Sequence, residues 1–142
     1  CSIFPASNIF SKDIDRWSKD LKDPANYWLT ENGKVGEEQG FIMSLECQKT
    51  VVGVNLRNTQ NARHRDRSTK KFRILGSADK NGPWQELLLA NLEDSRRQDP
   101  PPFQQLMFPN SAAVSFLKFE LLEYYGRGGR LQFFEVIVPG NV

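Results

Sequence analysis

The sequence predicts an all-β domain of antiparallel strands, packed as a sandwich or closed as a barrel. Three observations predict it. Short apolar runs with period-two alternation recur from Phe41 to Val138. Turn chemistry separates them, as in Asp79-Lys80-Asn81-Gly82-Pro83 and Gly126-Arg127-Gly128-Gly129. No long helical pattern lies between them, so the apolar faces of the strands must cover one another. The 142 residues fit one domain spanning 1–142, long enough to bury a core without metal or disulfide staples.

Taken in order, Ile14, Trp17 and Leu21 fall at helix-like spacing and suggest one short helix or turn. Asp23-Pro24 ends it, because the residue before a proline avoids helical backbone. Tyr27-Trp28-Leu29 reads as an apolar core patch, followed by the turn Glu31-Asn32-Gly33-Lys34. Strand signals then run Phe41 to Cys47, Thr50 to Arg57, Lys71 to Ser77, Trp84 to Leu92, Phe103 to Phe108, Val114 to Tyr124 and Leu131 to Val138. Within them Val52, Val54 and Leu56 form one face of the second, and Phe72 and Ile74 one face of the third. Residues 93–102, EDSRRQDPPP, are the most polar connection, stiffened by three prolines and expected to lie across one end of the sandwich.

Charge narrows the functional classes. Nineteen Lys+Arg against 17 Asp+Glu give +2, too little for the whole-surface field of a general nucleic-acid binder. The positive charge is local instead. Between the strands that end at Arg57 and begin at Lys71 lie Arg57, Arg63, His64, Arg65, Arg67, Lys70 and Lys71, with Asp66 as the single acid and His64 as the single histidine of the chain. A connection between rigid strands is where ligand contacts concentrate. The competing reading is a solvated loop in which Asp66 pairs with an arginine. No aromatics interleave these cations, which argues against a groove that stacks single-stranded bases. No apolar run approaches a membrane span. The chain opens at Cys1 without an initiator methionine or signal peptide, the expectation for a processed product or excised domain. Cys47 falls in phase with Phe41, Met43 and Leu45, so the default is a buried thiol, with a bridge to Cys1 as the alternative. Two cysteines at this separation do not make a metal site.

In the order and phase of three blocks the sequence resembles the discoidin family, the coagulation-factor type C domains of the galactose-binding jelly-roll superfamily. The blocks are YWLTENGKVGEEQGFIMSLECQKTVVGVNLRNT at 27–59, RDRSTKKFRILGSADKNGPWQELL at 65–88 and FLKFELLEYYGRGGRLQFFEVIV at 116–138. They carry a Tyr-Trp pair before the first long strand, a strand ending in Gly-Ser, a Gly-x-Trp hairpin and a closing Gly-Gly then Phe-Glu strand. The resemblance implies a discoidin-type, galactose-binding domain-like jelly roll that takes ligands at one end through loops 7–17, 59–70 and 124–130. Departures from the family pattern are also visible. Cys1 has no partner near Val142, the cysteine-paired arginine pattern of fucose-binding relatives is missing, and Phe4, Ile9 and Phe10 are the only candidates for a membrane-entering tip.

Carried onto these loops, sugar recognition needs an apolar surface for the pyranose C–H face, which Tyr125 or Trp17 would supply. Asn61, Arg63, His64 and Arg65 would supply fixed polar groups for hydroxyls. The planar fork of arginine suits a carboxylate, sulfate or phosphate equally, so an anionic sugar is a natural variant, with Arg127 on the glycine-rich tip adding to it. The resemblance also suggests one calcium ion held by Asp23, Asn26 and Glu135, oxygen ligands of the kind a hard cation takes. For Asp66, Arg67 and Thr69 a structural turn is the preferred reading.

The expected function is therefore a non-enzymatic carbohydrate-binding module, extracellular or secreted as part of a larger protein. The alternative is an adhesion domain for an anionic membrane or a protein partner. Duplex nucleic acid is not an expected partner, and a transmembrane segment is not expected. An enzyme is the weakest reading, because no serine or cysteine nucleophile pairs visibly with His64 and no close carboxylate pair suggests glycoside hydrolysis.

Overall fold

The computed structural model describes residues 9–10, 28–29, 36–58, 65–98 and 101–139. All of its regular structure there is strand: β1 (Ile9–Phe10), β2 (Trp28–Leu29), β3 (Gly36–Asn58), β4 (Arg67–Ser77), β5 (Gln85–Asn91), β6 (Phe103–Gly126) and β7 (Arg130–Ile137). Every pairing is antiparallel, in the order β2-β7-β3-β6-β4-β5, with β1 added to β3. The short helix or turn suggested around Ile14 to Leu21 lies outside the described residues.

Two strands are long enough to serve both layers. The first half of β3 pairs with the second half of β6 (Phe41↔Phe119, Ser44↔Phe116), and its second half pairs with the start of β6 (Gly53↔Met107, Arg57↔Phe103). Between these blocks the register shifts from Ser44 to Lys49 and again from Val51 to Gly53. In β6 residues 108–111, which include Pro109, fall between the two blocks paired with β3, and proline has no N–H to give a ladder. The gaps between apolar runs at these points suggest separate strands. Instead β3 and β6 are continuous strands that fold over, so one layer is β1-β3-β6-β4-β5 and the other is β6-β3-β7-β2.

The folding-over also corrects a face assignment. Val52 was expected inward with Val54 and Leu56, but the shift between Val51 and Gly53 turns Val51 into the core and leaves Val52 half-buried. Alternation cannot reveal this, because one extra residue reverses the facing of everything before it.

Four phenylalanines join the layers. Phe119 stacks on Phe41 with centroids 5.1 Å apart and on Phe72 at 5.2 Å, all three from the first layer. Phe134 of β7 meets Phe41 edge-on at 5.2 Å and Phe119 at 6.2 Å. Around them pack Met43, Leu56, Ile74, Leu117 and Leu121, all fully buried. On the outer face of the first layer, Arg73 donates from Nε to Glu120 Oε1 at 2.7 Å.

Cys47 departs from its expected state. It is disulfide-bonded and only half-buried, because the register shift after Ser44 ends the alternation that would have pointed it inward. The sequence holds one other cysteine, Cys1, which lies outside the described residues. Beside Cys47, the Lys49 ammonium donates to the Leu45 carbonyl at 3.0 Å and contacts the Cys47 sulfur at 3.5 Å.

Candidate functional site

Because β3 and β6 both double back, their two termini return to one end of the sandwich. There the end of β3, the start of β4, residues 92–98 and the β6–β7 turn converge. A buried polar cluster ties three of these together. Asn58 donates from Nδ2 to Ser68 Oγ at 3.2 Å and to the Thr69 carbonyl at 2.9 Å, and its Oδ1 accepts from the Thr69 N–H at 3.0 Å. Ser68 Oγ lies 2.8 Å from Ser95 Oγ and accepts from the Ser95 N–H at 3.1 Å. Asn58 is 1% exposed, and Ser68, Thr69 and Ser95 are fully buried, so each polar group here must find its partner inside the protein.

The β6–β7 turn is locked to the same frame. The Arg127 N–H donates to the Asp66 carbonyl at 2.7 Å and the Ser68 N–H to the Gly128 carbonyl at 3.0 Å. Gly126 takes φ +77°, and a Cβ there would overlap the Asp66 carbonyl oxygen. Gly126→Ala is therefore expected to cost ~1–3 kcal/mol from the left-handed backbone and the displaced Asp66 carbonyl. A melting temperature within a degree of the parent would contradict this account of the turn.

On this frame stand groups that are half-buried or exposed. The Tyr125 hydroxyl donates to the Leu92 carbonyl at 3.1 Å, and the Lys70 ammonium lies 5.5 Å from the ring centroid. Arg65, with φ 49°, donates from Nη1 to the Arg96 carbonyl at 3.2 Å. Arg96 makes a forked pair with Asp94, with Nε to Oδ1 at 3.0 Å and Nη2 to Oδ2 at 2.7 Å. The hydrogen bond from Arg96 holds the Asp94 carboxyl below its ordinary value, and the same bond raises Arg96. Arg127 is exposed at the turn tip.

Within residues 65–70, 92–98 and 126–129 stand Arg65, Arg67, Lys70, Arg96, Arg97 and Arg127 against Asp66, Glu93 and Asp94, six cations to three acids. That local excess of three exceeds the +2 of the whole chain, so the remainder of the surface is not basic.

Of the residues the sequence singled out, Arg65, Tyr125 and Arg127 are brought together at this end. Asn61, Arg63, His64 and Trp17 lie outside the described residues, as do Asp23 and Asn26 of the calcium set. Glu135 is half-buried on β7, in register with Asn55 and on the opposite face from Phe134 and Val136. Its place between two apolar residues is thus ordinary alternation. No group of three or more His, Cys, Asp or Glu side chains among the described residues is arranged to hold a metal ion. Of the candidate membrane tip, Ile9 and Phe10 form β1 against Met43 and Ile42, and Phe4 lies outside the described residues. No helix among them is long and apolar enough to cross a membrane.

Sequence reasoning missed the part played by Asn58, Ser95 and Asp94. Asn58 closes an apolar strand and reads as the first loop residue, and the pairing of Ser68 with Ser95 joins positions 27 residues apart. The one available signal was the polarity of residues 93–102, which placed them across an end but not beside the basic loop.

No protein-family model matches the sequence, and no curated protein matches it. Solved structures do match. The module CpGH89CBM32-5 of Clostridium perfringens, solved with GalNAc-β-1,3-galactose, superposes with a TM-score of 0.70 at 18% identity over 96% of this chain and 100% of its own. Chitosan-binding module 2 of a chitosanase/glucanase from Paenibacillus sp. IK-5, solved with chitotriose, gives 0.65 at 16% identity over 90% of this chain and 92% of its own. The CBM32 of AlyQ, solved with 4,5-unsaturated mannuronic acid, gives 0.63 at 13% over 91% and 92%. The chain therefore has the galactose-binding-like jelly-roll fold of these carbohydrate-binding modules.

Proposed function

We propose that this domain is a non-enzymatic carbohydrate-binding module that takes its ligand on the loops at the Asn58 end of the sandwich. The observation that carries the reading is the construction of that end: a buried hydrogen-bond cluster holds the end of β3, the start of β4 and residues 92–98 still, with Arg65 and Arg127 exposed and Tyr125 and Lys70 half-buried beside them. Sugar hydroxyls reward such rigidity, because each donor is already aimed before binding. The groups presented bind and orient, and the Asp94 carboxylate is committed to Arg96. Sugars bound by structures of the same fold support the same reading. Asn61, Arg63, His64 and Trp17 complete the proposed site from the sequence, and kinship with the discoidin branch of this fold belongs to the proposal.

A calcium ion held by Asp23, Asn26 and Glu135 is also part of the proposal, as a structural ion that would stiffen the approach to β2 and β7. An oxidising, extracellular setting is supported by the disulfide at Cys47.

A glycan array probed with the 142-residue domain, with and without chelator, tests these points together. The expected result is retention of a defined glycan set that is lost when Arg63 and His64 are both replaced by alanine. Loss of the signal in chelator would support the calcium ion, and a signal unchanged by chelator would remove it. A blank array, with the protein shown to be folded, overturns the carbohydrate reading in favour of a protein or anionic-lipid partner for the basic end.

A further inference from the structure

We propose that Arg57, held against Phe103 at the mouth of the second layer, is an anion-reading subsite that takes the carboxylate or sulfate of an acidic glycan. The ligand class rests on the carbohydrate reading above; the anion site does not. Arg57 donates from Nε to the Pro101 carbonyl at 2.8 Å, and its guanidinium carbon lies 5.0 Å from the centroid of the Phe103 ring. A hydrogen bond at one edge and a ring beneath fix the plane of the group. Its two terminal amino groups, Nη1 and Nη2, have no hydrogen-bond or ion-pair partner among the described residues. A planar fork with its orientation already set is the receptor that two oxygens of a carboxylate or sulfate fit, and its ordering cost is met before the ligand arrives.

Other arginines at this end differ in one respect or the other. The fork of Arg96 is taken by Asp94, and Arg65 spends Nη1 on the Arg96 carbonyl. Arg57 combines a fixed plane with an open fork.

The surroundings suit a sugar acid. Arg57 pairs in register with Phe103, and one row along the same face Asn55 pairs with Gln105. Residues two apart on a strand point the same way, so both carboxamides lie on the Arg57 side within one strand repeat. Phe103 is 56% exposed, leaving ring surface for the apolar face of a pyranose. The acid nearest in the register, Glu135, stands across β3 from Asn55 and already has an interaction of its own.

The test has two independent arms. In the first, the arginine side-chain Nε–Hε resonances of the labelled domain are followed as sodium glucuronate, sodium sulfate or glucose is added. The Arg57 resonance is expected to move with glucuronate, with sulfate or with both, and not with glucose; the pattern identifies which anion the site takes. No movement with either anion overturns the proposal, even if the domain binds glycans elsewhere. In the second arm, Arg57→Lys keeps the charge and removes the fork, and Arg57→Gln removes both. Each is expected to weaken binding of uronate- or sulfate-bearing glycans at least fivefold while the domain stays folded and binding of neutral glycans stays as in the parent. Acidic glycans bound as well by both variants, or neutral glycans lost in parallel, would count against the subsite. If no glycan binds at all, the carbohydrate reading fails while the resonance arm still decides Arg57.

Discussion

Asn58→Ala is expected to lower the stability of the domain by roughly 3 kcal/mol, since each buried polar group left without its partner costs ~1–3 kcal/mol. The carboxamide makes three hydrogen bonds, two of them to the backbone of Thr69, which is fully buried. Removing it takes an acceptor from the Thr69 N–H and a donor from the Thr69 carbonyl and the Ser68 hydroxyl, in residues that are fully buried. The substitution therefore acts on function as well. The start of β4 and residues 92–98 lose a common anchor, and Arg65, Tyr125 and Arg96 lose their fixed relation. Urea unfolding would show a lower midpoint with little change of slope, and glycan retention would fall in protein still folded at 10 °C. A loss under ~0.5 kcal/mol, the scale of an ordinary surface change, would mean that the cluster does not hold the end together.

Phe119→Ala is expected to cost ~3–5 kcal/mol, the range for truncating a buried aromatic. Phe119 is 1% exposed and contacts two rings of its own layer and one of the other. The cavity cannot close readily, because Phe41, Phe72 and Phe134 are each held by separate strands. Against a typical total of ~5–15 kcal/mol the variant would be marginal at 37 °C. Phe103→Ala supplies the contrast: the same deletion at a site 56% exposed should change the unfolding midpoint little. Equal losses for the two would contradict the placement of the core at the Phe119 cluster.

Much of this molecule is determined locally. Alternation in Phe41-Met43-Leu45 and Phe72-Ile74 reports which side of a strand is dry, and a strand carries that information in its own residues. The all-β class, most strand positions and the convergence of the basic loop with the glycine-rich tip could be read this way, the last with help from the family resemblance. Even the bends of β3 and β6 were marked, as gaps between apolar runs.

Other properties belong to pairs of distant residues, and no local pattern encodes a pair. That the gaps are bends within continuous strands depends on which partner each half finds. The inward turn of Val51, the disulfide state of Cys47, the burial of Asn58 against Ser68 and Ser95, and the Arg57 fork held open on Phe103 were decided the same way. The class of the fold, most of the core and the basic character of one loop thus follow from local pattern, because hydrophobic period and charge are written residue by residue. The locking of Asn58 on Ser68 and Thr69 and the seating of Arg57 on Phe103 arise from contacts between strands that meet when the sandwich closes.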